Sequence, residues 1–177
     1  MRKTRPERLD AMKLAQAGEA LSGRYPGSSL TRWANSGLSP DQASEVAWQA
    51  RFELKTDATS RSTAWLHLKA QAELKLECQR CLQPMSWPQQ VDCTYRFVPT
   101  EALALEQDNE AEEDVLSLEQ PLDLLELVED ELIMDLPMVP MHEKCPVSVK
   151  TGTQTPDFTE KAHPFATLAG LKGQKTD

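Results

Sequence analysis

Apolar and polar residues alternate with period two over three stretches of the chain. In the first, Val46, Trp48, Phe52 and Leu54 are apolar, with Gln49, Arg51, Glu53 and Lys55 between or after them. This predicts a strand with a bulge near Ala50. In the second, Thr63 to Glu77, one face carries Leu66, Leu68, Ala70, Ala72, Leu74 and Leu76 and the other His67, Lys69, Gln71, Glu73, Lys75 and Glu77, with Trp65 out of phase. That is a long antiparallel strand with one packed face and one wet face. The third places Val91, Cys93, Tyr95 and Phe97 against Asp92, Thr94 and Arg96. It is joined to the second by a turn that sets Cys78 and Cys81 at a hairpin end.

Further along, the period changes to that of a helix. Leu125, Val128, Leu132 and Leu136 follow one stripe, widened by Leu122, Leu124 and Ile133. A helix over about 121–135 is predicted, opened by Pro121 in its first turn and ended before Pro137. Glu129, Asp130 and Asp135 fall on or near its opposite, solvated side. Ser22 to Leu30, punctuated by Gly23, Pro26 and Gly27, reads as a loop. Ser28 or Ser29 then caps a short helix through Trp33 and Ala34 that stops at Gly37. Residues 99–114 read as an acidic flexible loop, followed by a short strand at Val115, Leu116 and Leu118.

The Pro137 to His142 segment reads as extended and apolar, and 146–177 as a largely irregular tail in which Phe165, Leu168 and Leu171 could form a turn or two of helix. The fold class expected is α+β. It consists of an antiparallel meander, with closure toward a barrel as an option, one main amphipathic helix, a basic N-terminal arm at 1–20 and an irregular C-terminal arm. All of this belongs to a single domain spanning 1–177.

Charge sharpens the picture. The 177 residues carry a formal net charge of −9, yet residues 101–135 alone hold fourteen acids and no base. An acidic chain is a poor wrapper of bare nucleic acid, whose affinity comes from Lys and Arg, and a basic partner is easier to justify. Arg2, Lys3, Arg5 and Arg8 are candidate RNA contacts, although a solvated arm is the preferred reading of a basic terminus. The N-terminus is charged, with no apolar stretch behind it, and no run of eighteen apolar residues exists. The protein is expected to be cytoplasmic, without membrane partners and without a small-molecule substrate.

The chemistry rests on four cysteines. Cys78 and Cys81 in C-x2-C spacing, with His142 and Cys145 in H-x2-C, would suit tetrahedral zinc. The sixty residues between the pairs exceed a compact zinc ribbon, so the preferred reading is a tightened hairpin with His142 bonded to a backbone carbonyl. No cofactor is then expected. A redox pair is disfavoured because the thiols precede Pro84 rather than opening a helix. No G-x-S-x-G, phosphate loop or H-E-x-x-H is present, and the expectation is a protein that is not an enzyme.

Three stretches taken together carry a resemblance: Leu76-Glu77-Cys78-Gln79-Arg80-Cys81, Leu127 to Ile133 running into Leu136 to His142, and Pro164 to Ala169. In their order and spacing the chain resembles the YceD family, the large ribosomal RNA subunit accumulation proteins of bacteria and plastids. The resemblance implies a non-enzymatic ribosome-biogenesis factor acting in synthesis, processing or stability of 23S ribosomal RNA. Its partners would be a basic ribosomal protein, the ribosomal RNA, or both, with Arg80, Glu126, Glu129, Asp130, Pro137, Pro140 and His142 as candidate contacts. A zinc-binding or thiol-active RNA-processing protein is the alternative. Some relatives look Cys-rich after the Pro-x-x-Pro stretch, whereas this chain keeps only His142 and Cys145 there.

Overall fold

The computed structural model describes residues 8–39, 44–56 and 61–147. Along the chain run α1 (Ala11–Ala17), β1 (Ala20–Tyr25), a 3-10 turn (Gly27–Ser29), α2 (Thr31–Asn35), β2 (Val46–Thr56), β3 (Ser62–Glu77), β4 (Pro84–Val98), α3 (Glu101–Asp108), β5 (Asp114–Ser117) and α4 (Leu124–Met134). The five strands lie in the order β1-β2-β3-β4-β5. The first four form an antiparallel meander, and β5 pairs parallel to β4, from Tyr95↔Asp114 to Val98↔Ser117. The α+β expectation therefore holds, with an open sheet rather than a closed barrel. Among the described residues no helix is long and apolar enough to cross a membrane.

The wet and dry faces fall where period two places them. Val46, Trp48, Ala50 and Phe52 of β2, Leu66, Leu68, Ala70 and Leu74 of β3, and Val91, Tyr95 and Phe97 of β4 point into one core. Its other side is supplied by Ala11 and Ala15 of α1, Trp33 and Ala34 of α2, and Leu124, Val128 and Leu132 of α4. Each fully buried leucine here contributes about 1.5–3 kcal/mol of apolar burial. On the opposite face Trp65 is half-buried, with the Lys55 ammonium 3.8 Å from its ring centroid, which accounts for its being out of phase.

Four elements differ from the sequence reading. The register of β2 on β3 runs unbroken through Ala50↔Leu68, so β2 has no bulge there. Where a loop was expected, Ala20–Tyr25 is an edge strand. Its Gly23 is required by packing, because a Cβ there would lie 2.8 Å from Cζ2 of the Trp48 ring. β4 begins at Pro84, seven residues before the alternation becomes visible. Prolines are tolerated because β5 pairs only with Tyr95–Val98, leaving the outer edge of the rest of β4 without a ladder to break. Finally, residues 101–108 of the expected acidic loop form α3, capped by Thr100 Oγ1, which accepts from Leu103 N–H at 3.3 Å. It is the crossover that a parallel β4–β5 pair needs.

The helix caps also depart from expectation. α4 starts after Asp123, whose carboxylate accepts the N–H groups of Leu125 and Glu126 at 3.0 and 3.1 Å, so Pro121 stands outside the helix. α2 is capped by neither Ser28 nor Ser29. The N–H groups of its second and third residues, Arg32 and Trp33, instead donate to Glu129 Oε1 of α4 at 2.7 and 3.2 Å. Glu129 is thereby buried rather than solvated, because α2 docks on the side of α4 that carries it.

Candidate metal centre

The turn between β3 and β4 closes on its own backbone. Cys78 N–H donates to Gln83 O at 3.0 Å and Leu82 N–H to Cys78 O at 2.8 Å. Leu82 takes a left-handed φ of 58°, which a residue with a Cβ adopts only when its surroundings hold it there. Onto this turn folds the segment that follows α4. Gln79 N–H donates to Pro140 O at 2.8 Å, and His142 N–H reaches Cys78 Sγ at 3.4 Å. Arg80 ties the two segments together: its Nη2 donates to His142 O at 2.6 Å and Glu143 O at 3.3 Å, and its Nε to Cys145 Sγ at 3.0 Å.

As a result Cys78, Cys81, His142 and Cys145 converge, with ligand atoms all within 4.8 Å of one another. Cys78 Sγ and Cys145 Sγ are 3.9 Å apart, and Cys81 Sγ and His142 Nδ1 3.4 Å. A tetrahedral ion with metal–sulfur bonds of about 2.3 Å and metal–nitrogen bonds of about 2.0–2.1 Å has sulfur–sulfur edges of about 3.8 Å and sulfur–nitrogen edges of about 3.5 Å. Both observed edges fit that figure, and the donor set is one that zinc takes. All four cysteines are free thiols.

The electrostatics favour anionic sulfur at one corner. Burial pushes the Cys78 thiol up, but backbone N–H groups of His142, Cys81 and Arg80 outweigh it and bring Cys78 down to about 5. Burial raises Cys81, and the neighbouring sulfurs of Cys145 and Cys78 raise it further. The hydrogen bond to Cys145 raises Arg80, which is held as a cation beside the sulfurs. Three thiolates around a dication would leave one negative charge, and the guanidinium of Arg80 stands where it offsets that charge.

The remaining sequence-derived candidates scatter. Arg2, Lys3 and Arg5 lie outside the described residues, and Arg8 is exposed. Arg80, Pro140 and His142 belong to the centre, whereas Pro137 carries no hydrogen bond into it. Glu129 and Asp130 both hold Arg32, at 3.0 and 2.7 Å, and only Glu126 of the three acids is exposed and without an ion pair among the described residues. On the wet strand face, Lys69 pairs with Asp92 at 2.8 Å and His67 with Glu53 at 2.9 Å. Lys69 and His67 line a hollow over β1, β2 and β3 together with Arg51, the one base of the three that lacks an acidic partner among the described residues, which leaves little free positive charge in it for RNA phosphate.

Two buried polar groups had no sequence signal beyond their residue type. Glu131 accepts from Tyr95 OH and, at 3.0 Å, from Cys93 Sγ–H. Gln89 accepts Trp33 Nε1–H at 2.6 Å and donates to Leu132 O at 2.6 Å. Burial, reinforced by Glu131, pushes the Cys93 thiol up to about 12, so this cysteine is a core donor rather than a ligand.

The family profile described as "Large ribosomal RNA subunit accumulation protein YceD" matches residues 66–172. The protein of that name from Haemophilus influenzae is 31% identical over 180 residues, covering 94% of this chain and 95% of that protein. No solved structure matches the chain. The profile takes in both halves of the cysteine–histidine cluster, and the likeness to the relative runs along nearly the whole of both chains: the protein belongs to the YceD family.

Proposed function

We propose that this protein acts in ribosome biogenesis, supporting accumulation of the large-subunit ribosomal RNA by binding rather than by catalysis, and that Cys78, Cys81, His142 and Cys145 hold one zinc ion. The name borne by its relative supports the first part. The observation that carries the second is the convergence of four ligand atoms within 4.8 Å at the meeting of two segments. All four corners of a tetrahedral ion would come from the protein, as in structural sites, with no open position for water or substrate. Zinc there would fasten residues 137–147 to the hairpin end, and would hold the exposed Leu82, Val139 and Met141 on a fixed frame. The excess of acids over bases in residues 101–135 supports a basic ribosomal protein as the bound component.

Metal analysis of purified protein, paired with complementation, tests this reading. One zinc per chain is expected, lost in Cys78→Ser and in Cys145→Ser. Cells that depend on either variant should accumulate less large-subunit ribosomal RNA. Purified protein should leave that RNA intact. Metal-free wild-type protein that complements fully, or RNA cleavage that scales with the protein, would sink the proposal.

A further inference from the structure

Between α3, β5 and α4 lies a hollow of about 240 Å³ walled by Phe97, Leu116 and Leu127. Its rim carries Glu101 from the first turn of α3 and Glu126 from the first turn of α4, and no basic residue lines it. Asp123 and Asp130 also line it, but the first caps α4 and the second pairs with Arg32. Glu101 and Glu126 have no ion-pair partner among the described residues. The volume falls below the roughly 300–1,000 Å³ of small-molecule sites and suits a single long side chain. Apolar side chains together with four carboxylates and no base match one side-chain chemistry in particular: a Lys or Arg, whose aliphatic stem packs while its charged head meets the two exposed carboxylates.

We infer that this hollow is a docking site for a Lys- or Arg-rich segment of a basic protein, one cation seated between Glu101 and Glu126 with its stem on Leu116 and Leu127. The inference rests on the basic-partner part of the proposed function and gives it an address. It also moves the acidic contact away from Glu129 and Asp130, which the fold itself consumes. The surplus of negative charge in residues 101–135 would speed encounter, and the hollow would set register.

The test uses the full zinc-loaded chain and a short labelled peptide repeating lysine, leucine, lysine and serine. Binding by fluorescence anisotropy is expected to weaken about tenfold or more in Glu101→Gln/Glu126→Gln. The equally charged change Glu106→Gln/Glu110→Gln, on exposed acids outside the hollow, should leave it within about twofold. Leu127→Ser should weaken it without altering charge. Circular dichroism and zinc content must match the wild type, and a variant that fails there is replaced by Glu126→Gln alone.

Equal loss in both paired variants would mean long-range charge alone and would overturn the site, as would a peptide that does not bind the wild type. Tighter binding of single-stranded RNA than of the peptide at the same face would overturn it too. If the peptide result is negative while Cys78→Ser still lowers ribosomal RNA accumulation, the biogenesis reading stands and only the docking site fails.

Discussion

Glu129 and Glu126 stand three residues apart on α4, and the sequence reading makes both candidate partner contacts. The structure separates them sharply. Glu126 is exposed, whereas Glu129 is 8% exposed and receives Arg32 N–H at 2.7 Å, Trp33 N–H at 3.2 Å and Arg32 Nε–H at 3.0 Å. Glu129→Ala removes the acceptor that, among the described residues, serves two N–H groups at the start of α2, which has no side-chain cap of its own. Each buried donor left without a partner costs about 1–3 kcal/mol. Trp33 is fully buried, so its N–H bears the larger part; Arg32 N–H is part-buried and water can reach it. The Arg32 guanidinium is half exposed and loses little, since water replaces the carboxylate there.

Together these give a loss of about 2–4 kcal/mol for Glu129→Ala, against less than about 0.5 kcal/mol for Glu126→Ala. Urea unfolding followed by tryptophan fluorescence reads the difference as a lowered midpoint at unchanged slope. Glu129→Gln, which keeps an acceptor of the same shape, should recover a large part of the loss. A Glu129→Ala midpoint indistinguishable from that of Glu126→Ala would refute the capping role, and with it the account of why α2 docks where it does.

Two other outcomes follow from particular contacts. Gly23→Ala places a methyl against the rigid Trp48 ring, which is stacked on Tyr25 with centroids 5.2 Å apart, and should destabilise by about 1–3 kcal/mol with a shift in tryptophan emission. A glycine-to-alanine change that stabilised the chain would contradict that packing. In metal-free protein, Cys78, held at about 5, should give a rise in ultraviolet thiolate absorbance as pH climbs through about 5 that Cys78→Ser removes, while Cys93, at about 12, contributes none at pH 8. The linked stabilities have opposite signs. The Cys78 contribution is full above its unfolded pKa of about 8.5 and is lost as pH falls through 5, whereas that of Cys93 is full below about 8.5 and lost as pH rises toward 12.

What was legible in the sequence followed one physical condition: an element with one packed face and one wet face writes its period into the chain. β2, β3, the second half of β4 and α4 meet that condition. β1 does not, since its exposure alternates only between partial and full and its inward centre is Gly23. α3 buries just Ala104, so its helical period has almost no apolar amplitude. The cysteine and histidine pairs were legible as ligand types, but their sixty-residue separation argued against a site. Sequence distance lost its force because a backbone contact, Gln79 N–H to Pro140 O, brings the chain after α4 back to the hairpin end.

The acids of α4 show why charge counted along a chain is a weaker guide than charge counted by surface. Glu129 and Glu131 lie two positions apart, which turns them to different sides of the helix, and both are nonetheless buried. This is possible because α4 is covered twice: α2 donates backbone N–H groups to Glu129 on one side, and β4 donates Tyr95 OH and Cys93 Sγ–H to Glu131 on the other. Carboxylates satisfied in this way hold the helix in place and offer nothing to a partner. The charge available for recognition is therefore what remains after the fold has used its share, and on the hollow beside α4 that remainder is Glu101 and Glu126. If a basic protein reads this chain, reversing those two positions should alter the encounter more than reversing Glu129 and Glu131, whose loss would be felt first as unfolding.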